Sequence, residues 1–288
     1  FILYQMAGIF VRERVPASKE TRTMKQNFAL MWQNKPFRQI LLSGVLGSPK
    51  STIALAAMSL VSYYYASKDP LLAMLYILLL GGALFIGQFL SMGLAPMLVK
   101  KYEKKSLYNW SNLIGAIPYG GLFLVYMIAP NHDLTTVACL IICAVLFFGS
   151  GFSMGITNAL QSLMIADAVD YEEYCSGIRP DGVFFSGQTF IAKITAAIAT
   201  VINGIAYSVV GFSDAKVQEV NDYIAAGGVP RLNPEYQPFM TVLFFIVSVP
   251  PVIGCILSVL PTIKYALSDK EHKRILDELN ERRHAAEN

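Results

Sequence analysis

Residues 71–99, LLAMLYILLLGGALFIGQFLSMGLAPMLV, form a run without a charged side chain. A helix needs about 20 consecutive apolar residues to cross the hydrocarbon core of a bilayer, so this run predicts a membrane-spanning helix. Further apolar runs of similar length flank it at residues 39–65, 107–129, 134–166, 183–211 and 238–262. The sequence therefore predicts an all-α membrane protein with six transmembrane helices.

The composition of the chain agrees with this prediction. Of its 288 residues, 54% are hydrophobic and 15% are charged, whereas soluble domains carry about 25% charged residues. The mean hydropathy of +0.47 argues against a soluble or a disordered chain. A net charge of +3 does not suggest binding to nucleic acid, and four cysteines in a chain of this length do not indicate a disulfide framework.

The basic residues predict the orientation of the helices. Lys and Arg number seven in residues 12–38, four in 100–106, one in 167–182 and six in 263–288, whereas the other three connections hold three together. Short basic segments stay in the cytoplasm. We therefore expect a multi-pass protein of the cytoplasmic (inner) membrane, with the middle loop 12–38 and the tail 263–288 in the cytoplasm.

The first 11 residues, FILYQMAGIFV, are apolar but too short to span a bilayer. No basic stretch precedes them, which makes them a poor signal peptide. We interpret residues 1–11 as the last turns of a preceding transmembrane helix, and expect the sequence to begin partway through a larger protein.

The tail, residues 263–288, is predicted to contain a helix that does not span the membrane. Ser268–Glu271 has a capping-box pattern, and Ile275, Leu276 and Leu279 then form one apolar face. This pattern fits a helix lying on the inner membrane surface, and it fits a solvated linker helix equally well.

Residues 23–34 are predicted to form a second helix of this kind. Phe28, Met31 and Trp32 fall on one helical face, with basic residues around them. A helix on the membrane surface and a solvated linker helix are again equally good interpretations.

Two basic residues lie inside the predicted spans. Lys50 is 11 residues into the first span and Lys193 is 10 residues into the fifth, which places each about 15 Å from the boundary, near the midplane. An unpaired lysine at that depth costs at least ~2.5–3.5 kcal/mol, and none of the 20 acidic residues lies within a predicted span. Each lysine therefore faces a water-filled cavity or pairs with a group outside this sequence. The alternative is a neutral, buried lysine. The preceding Gly47-Ser48-Pro49 favours a local opening of the helix that admits water to Lys50.

Polar residues accompany Lys193 in the same part of the sequence. Thr189 lies four residues before Lys193 and shares its helical face. Hydrogen bonding between helices, worth about 1 kcal/mol per bond, is the alternative explanation for any one of these polar residues. We predict a substrate site for a hydrophilic solute formed by Lys193, Thr189, Gln188, Gln161, Asn158 and Lys50, with Thr195 and Asn203 on the same helix as Lys193.

Enzymatic chemistry has little support in the sequence. All three histidines, His132, His272 and His284, lie outside the spans, so no intramembrane His–Ser or His–metal site can form within this chain. No Walker A or dinucleotide-binding fingerprint is present. We therefore expect a protein that is not an enzyme, with no cofactor and no metal site within this chain.

The connection 167–182 is unusually acidic. It carries five acidic residues and one basic residue, Arg179. We interpret it as a cytoplasmic ion-pair gate in which acids such as Asp167 and Asp170 dock on basic residues of another loop. A solvated turn is the alternative.

The run DAVDYEEYCSGIRPDGVFFSGQTFIAK, residues 167–193, resembles the signature of the glycoside–pentoside–hexuronide:cation symporters. These form the melibiose-permease branch of the major facilitator superfamily. The pattern consists of an acid pair before Tyr and Glu, then Gly-x-Arg, a small turn and an intramembrane Lys. Asn34–Phe37 and the tail from Tyr265 through Ile275 to Leu279 also agree. The resemblance covers essentially the whole chain.

The resemblance implies that this chain is the C-terminal half, helices 7–12, of a twelve-helix transporter that works by alternating access between two halves. Residues 1–11 would then be the end of helix 6. It implies symport of a sugar or glycoside with Na+ or H+, with the carboxylates for the coupling ion in the missing first half. It matches Lys193 to a lysine close to the cation and sugar sites, and Asp167, Asp170 and Arg179 to charges of the cytoplasmic gate. The expected partners are the substrate, the coupling cation and the bilayer, and not nucleic acid.

Three functions remain open at this point. The first is cation-coupled symport of a sugar or glycoside, for which two midplane lysines favour an anionic substrate such as a glucuronide over a neutral sugar. The second is transport of a lysolipid or another amphiphile by the same fold, for which an aromatic cavity with a lateral opening is expected. The third is a membrane receptor or scaffold that transports nothing.

Overall fold

The structure, a computed structural model, describes residues 23–287, and within this range every regular element is helical. The predictions for residues 1–11 and for the first part of the middle loop lie outside the described residues. The main helices of the described range are α1 (Met24–Gln33), α2 (Lys35–Leu46), α3 (Thr52–Tyr64), α4 (Pro70–Leu98), α5 (Lys104–Ile128), α6 (Val137–Ser176), α7 (Asp181–Val209), α8 (Asp214–Ala225), α9 (Gln237–Val259) and α10 (Asp269–Glu287).

The prediction of six membrane-spanning segments is confirmed. Helices α4 to α7 are each long and apolar enough to cross a membrane, and so is the segment Pro234–Thr262, which contains α9. The sixth segment is the pair α2 and α3, which is bent by 49° at a short break. The described part of the chain is thus an all-α membrane bundle.

Helix α6 is longer than its apolar sequence indicates. The predicted span ends at residue 166, but the helix continues to Ser176 and ends at Gly177, whose φ of +73° is left-handed. The interpretation of residues 167–182 as a loop is therefore wrong up to Ser176. The helix continues past the apolar run because its acidic side chains find basic and polar partners on neighbouring elements.

Glycines allow α4 and α6 to pack closely. A Cβ atom on Gly151 would lie 1.9 Å from the Leu84 carbonyl oxygen, and one on Gly155 would lie 2.2 Å from the Gln88 carbonyl oxygen. The small-residue pattern of these two helices is thus a packing feature. In contrast, a Cβ atom on Gly81 or Gly82 would meet no atom within 4 Å.

Two apolar clusters form the core, one toward each end of the bundle. The end that carries the basic segments 100–106 and 263–287, here called the basic end, has a cluster that includes Phe37, Ile165 and Phe184. The larger cluster joins α3, α4, α5 and α9 toward the opposite end. The short helix α8, which the sequence analysis did not predict, covers that end and buries Val220.

The tail helix α10 packs against protein. Ile275 and Leu279 are buried in the apolar cluster of the basic end, which also contains residues of α6. Neither alternative for the tail, a helix on the membrane surface or a solvated linker, describes this arrangement. The apolar face was predicted, but its partner is a helix extension that the sequence analysis assigned to a loop.

Helix α1 begins with the capping box of Thr23 and Gln26. Its predicted apolar face is divided, because Met31 packs against the cluster of the basic end whereas Phe28 and Trp32 are exposed and stack on each other. Of the three predicted residues, Met31 alone packs against this cluster, together with the neighbouring Leu30.

Candidate transport cavity and ion-pair cluster

A cavity of about 370 Å³, here called the central cavity, opens between the bent pair α2–α3 and helices α5, α6 and α7. Its wall mixes amide, hydroxyl and apolar groups with one lysine. The polar and aromatic residues of the wall are Lys50, Ser51, Tyr108, Tyr119, Thr157, Asn158, Gln161, Ser162, Gln188 and Thr195.

The break between α2 and α3 places Lys50 in the wall of this cavity. The α-helix ends at Leu46, and a 3₁₀ turn, Ser48–Ser51, separates it from α3. The turn packs closely against Gly254 of α9. A Cβ atom at that position would lie only 2.7 Å from the Lys50 backbone nitrogen, so a larger residue would not fit. Discontinuous helices of this kind form the substrate sites of many secondary transporters.

Lys50 is held by neutral groups. Its Nζ donates to Asn112 Oδ1 at 2.7 Å and lies 6.0 Å from the centre of the Tyr108 ring. Asn112 is fully buried, and its Nδ2 donates to the Tyr108 carbonyl at 2.9 Å. No carboxylate of residues 23–287 forms an ion pair with Lys50.

The amides predicted from the sequence also reach the cavity. Gln188, Gln161 and Asn158 line it from α7 and α6. Gln188 Nε2 donates to Ser162 Oγ at 2.7 Å, which joins the two helices. The structure thus brings Lys50 and three predicted amides together around one space.

Lys193 and Thr189 lie on a different face of α7. Both are exposed, and neither belongs to the wall of the central cavity. Lys193 has no hydrogen bond or ion pair with another described residue. The two residues share a helical face, as predicted, but the structure separates them from Lys50 and Gln188.

The sequence analysis did not single out the α5 residues of the site. Tyr108 and Asn112 are four residues apart and therefore share a helical face, and Tyr119 lies two turns beyond Asn112. Their spacing could have predicted that they belong to a site, because both tyrosines and the asparagine are polar residues on one face of an apolar helix. The contacts of Tyr108 and Asn112 with Lys50 depend on the packing of α5 beside the bent pair.

A cluster of charged groups occupies the basic end. Lys104, in the first turn of α5, pairs with Asp167 of α6 and lies 3.6 Å from Asp269 of α10. Its backbone nitrogen also donates to Asp269 at 3.0 Å. We call this set of ion pairs between α5, α6, α7 and α10 the ion-pair cluster.

Arg179 closes the connection between α6 and α7 within this cluster. Its guanidinium lies 2.7 Å from Asp170, 2.7 Å from Glu173 and 3.1 Å from Asp181. Partial burial lowers the pKa of Arg179, but the hydrogen bonds to Glu173 and Asp170 outweigh it and raise that pKa above its ordinary value. Arg283 of α10 also pairs with Glu173 at 2.7 Å.

His272 of α10 is a member of the cluster that the sequence analysis treated only as a residue outside the spans. Its Nε2 lies 3.0 Å from Asp170 and its Nδ1 lies 3.5 Å from Asp167. On the other side of α6, Asn34 Nδ2 donates to Glu172 at 2.9 Å and to the Ala168 carbonyl at 3.1 Å. Among the described residues, no group of three or more His, Cys, Asp or Glu is placed to hold a metal ion.

The comparison with known families identifies the fold. Residues 2–269 match a family model described as MFS/sugar transport protein. The chain belongs to this family. The six-segment bundle is accordingly half of a major facilitator fold, and the resemblance to glycoside–pentoside–hexuronide:cation symporters is confirmed.

Curated relatives cover almost the whole chain. A putative 2,3-dihydroxypropane-1-sulfonate exporter of Salmonella typhimurium is 26% identical over 96% of this chain and 53% of its own length. A putative sulfoquinovose importer of Escherichia coli is 24% identical over 94% of this chain and 51% of its own length. A glucuronide carrier protein homolog of Escherichia coli is 25% identical over 98% of this chain and 55% of its own length. The chain thus spans about half the length of the relatives it matches.

Proposed function

We propose that the protein containing this chain is a secondary active transporter that couples Na+ or H+ to symport of a sugar, glycoside or glucuronide across the cytoplasmic membrane. The family and the named relatives support transport of sugar-like solutes. Coupling to a cation is supported by a further relative, a putative glycoside/cation symporter of Escherichia coli, 29% identical over 54% of this chain and 31% of its own length.

The observation that carries the proposal is the central cavity. Amide and hydroxyl groups from α6 and α7 face a space of about 370 Å³ beside a broken helix. Such groups form the hydrogen bonds that sugar hydroxyls require, and a small-molecule site needs a few convergent polar groups in a partly apolar wall. The wall contains too few aromatic residues to favour an amphiphile.

The ion-pair cluster fits the proposed gate on the cytoplasmic side. It ties Asp167 and Asp170 of α6 to Lys104, Arg179 and His272, which come from three other elements. In an alternating-access cycle these contacts stabilise one arrangement of the helices, and separating them opens the cavity to that side. The carboxylates that bind the coupling ion belong, in this proposal, to the other half of the protein.

Accumulation by reconstituted protein tests the proposal. The full-length protein that contains this chain is placed in proteoliposomes, and uptake of radiolabelled methyl glucoside and methyl glucuronide is followed under imposed Na+ or H+ gradients. We expect accumulation above equilibrium for at least one sugar and one ion, and its loss when the gradient is collapsed. Uptake that never exceeds equilibrium contradicts coupling, and no uptake of either sugar favours a receptor or scaffold.

A further inference from the structure

The central cavity contains one charged side chain among the residues that line it. That residue is Lys50, whose position in the 3₁₀ turn between α2 and α3 is fixed by the backbone around it. The remaining polar wall groups are neutral amides and hydroxyls. The cavity wall contributed by this half is therefore positively charged.

The contacts of Lys50 leave part of its ammonium group unsatisfied within the described residues. An ammonium has three N–H donors, and Asn112 Oδ1 accepts one of them at 2.7 Å. Asn112 cannot turn toward another partner without losing its own hydrogen bond to the Tyr108 carbonyl. Asn112 thus orients the ammonium without neutralising it.

An uncompensated lysine in a membrane protein carries a cost that a structural role does not explain. A charge inside the bilayer region is tolerated when it faces a water-filled cavity or pairs with an opposite charge. Lys50 faces the cavity, and residues 23–287 supply no carboxylate to it. Water in the cavity can solvate the ammonium, and an anionic ligand or an acidic group elsewhere in the protein would neutralise it.

We propose that Lys50 recognises an anionic group, a carboxylate or a sulfonate, on a sugar-sized substrate, with Asn112 as a positioning residue. This inference rests on the proposed transport function and names its substrate class. The cavity volume of about 370 Å³ suits a small solute. The amides of Asn158, Gln161 and Gln188 line the same space and are available to the hydroxyl groups of that solute.

Three methyl glucosides that differ only at C6 test the charge preference. They are methyl glucoside, its glucuronide with a carboxylate at C6, and its analogue with a sulfonate at C6. Binding to the purified full-length protein is measured by calorimetry, and exchange is measured by counterflow in proteoliposomes. We expect at least one anionic probe to bind tenfold or more tightly than the neutral glucoside. The anionic probe that binds more tightly, the carboxylate or the sulfonate, shows which anionic group the site prefers.

Variants of Lys50 and Asn112 test whether Lys50 causes the preference for the anionic probe. Lys50→Met is expected to weaken binding of the anionic probe by 10- to 100-fold while leaving the neutral probe within threefold, whereas Lys50→Arg retains the preference. Asn112→Asp, which supplies a carboxylate to Lys50, is expected to weaken anion binding as Lys50→Met does. Lys68→Met, a change of the same type at an exposed residue in the connection before α4, is the matched control and keeps the wild-type preference.

The outcomes separate this inference from the proposed function. Anion binding that depends on Lys50 without gradient-driven accumulation supports the inference and contradicts symport. A wild-type protein that prefers the neutral probe, or binds none of the three, overturns the inference. Equal loss of neutral and anionic binding in both Lys50→Met and Lys50→Arg also overturns it, because Lys50 then pairs with a group of the protein or supports the fold.

Discussion

Lys50 and Lys193 show how two similar residues acquire different surroundings. Both are lysines near the middle of predicted spans, and both were expected to contribute to one site. The structure places Lys50 in the cavity wall on an asparagine, whereas Lys193 is exposed on another face of α7. A lysine at this depth needs a partner or water, and we propose that the partner of Lys193 lies in the remainder of the protein.

Replacing Lys193 tests this assignment. Lys193→Ala is expected to reduce concentrative uptake to simple equilibration, because in the proposed transporter Lys193 lies close to the cation and sugar sites. The amount of folded protein should not change, since Lys193 makes no hydrogen bond or ion pair with another described residue. Radiolabelled sugar accumulation and size-exclusion elution measure the two effects.

The control for this variant is Lys100→Ala, which removes an exposed lysine at the basic end and should leave accumulation unchanged. If Lys193→Ala accumulates sugar as well as the wild type, the assignment of Lys193 to the substrate and cation site is wrong.

At the scale of elements, close backbone packing at glycines joins the helices, in addition to hydrogen bonds and ion pairs between side chains. The pair α4 and α6 approaches so closely that the backbone of one helix fills the space beside the glycines of the other. In a bilayer, lipid tails are as apolar as leucine, so helix association depends on such packing. The glycine positions are therefore the sites where small changes should separate the helices.

Gly151→Ala tests this contact. The added Cβ would lie 1.9 Å from the Leu84 carbonyl oxygen, which belongs to the backbone and cannot move aside alone. Overpacking of this kind costs about 1–3 kcal/mol, so the thermal midpoint of the full-length protein in detergent should fall by several degrees.

Gly93→Ala is the matched control for helix packing. It lies on α4, where a Cβ atom would meet nothing within 4 Å. Its midpoint should stay at or slightly above that of the wild type because alanine is the better helix former. Equal midpoints for Gly93→Ala and Gly151→Ala would show that the close approach does not limit stability.

At the scale of the whole molecule, the tail helix connects elements that are distant in sequence. Helix α10 buries Ile275 and Leu279 in the apolar cluster of the basic end and places His272 between Asp167 and Asp170. Through Asp269 it also reaches Lys104 of α5. The tail therefore stabilises the same arrangement that the proposed gate requires.

Ile275→Ala should loosen this tail. Loss of a buried Ile side chain costs about 2–5 kcal/mol, so α10 should detach more often and trypsin should cut at Lys273 and Arg274 faster in membranes. Leu276→Ala, at the neighbouring half-buried position, is the control and should have a smaller effect. Indistinguishable cleavage rates for the two variants would contradict docking through Ile275.

The sequence alone determined the membrane class and the six spans, because hydrophobic length and charge placement are local properties of the chain. The resemblance of residues 167–193 to the signature of the family pointed to the family. It also named Lys50, the amides and the acids at residues 167–170 as candidate site residues. The tertiary structure decided which of these residues meet. The bend at the 3₁₀ turn brings Lys50 to Asn112, the continuation of α6 brings Asp167 to Lys104 and His272, and the rotation of α7 separates Lys193 from Gln188. These contacts depend on how helices distant in sequence pack, and no local pattern encodes that.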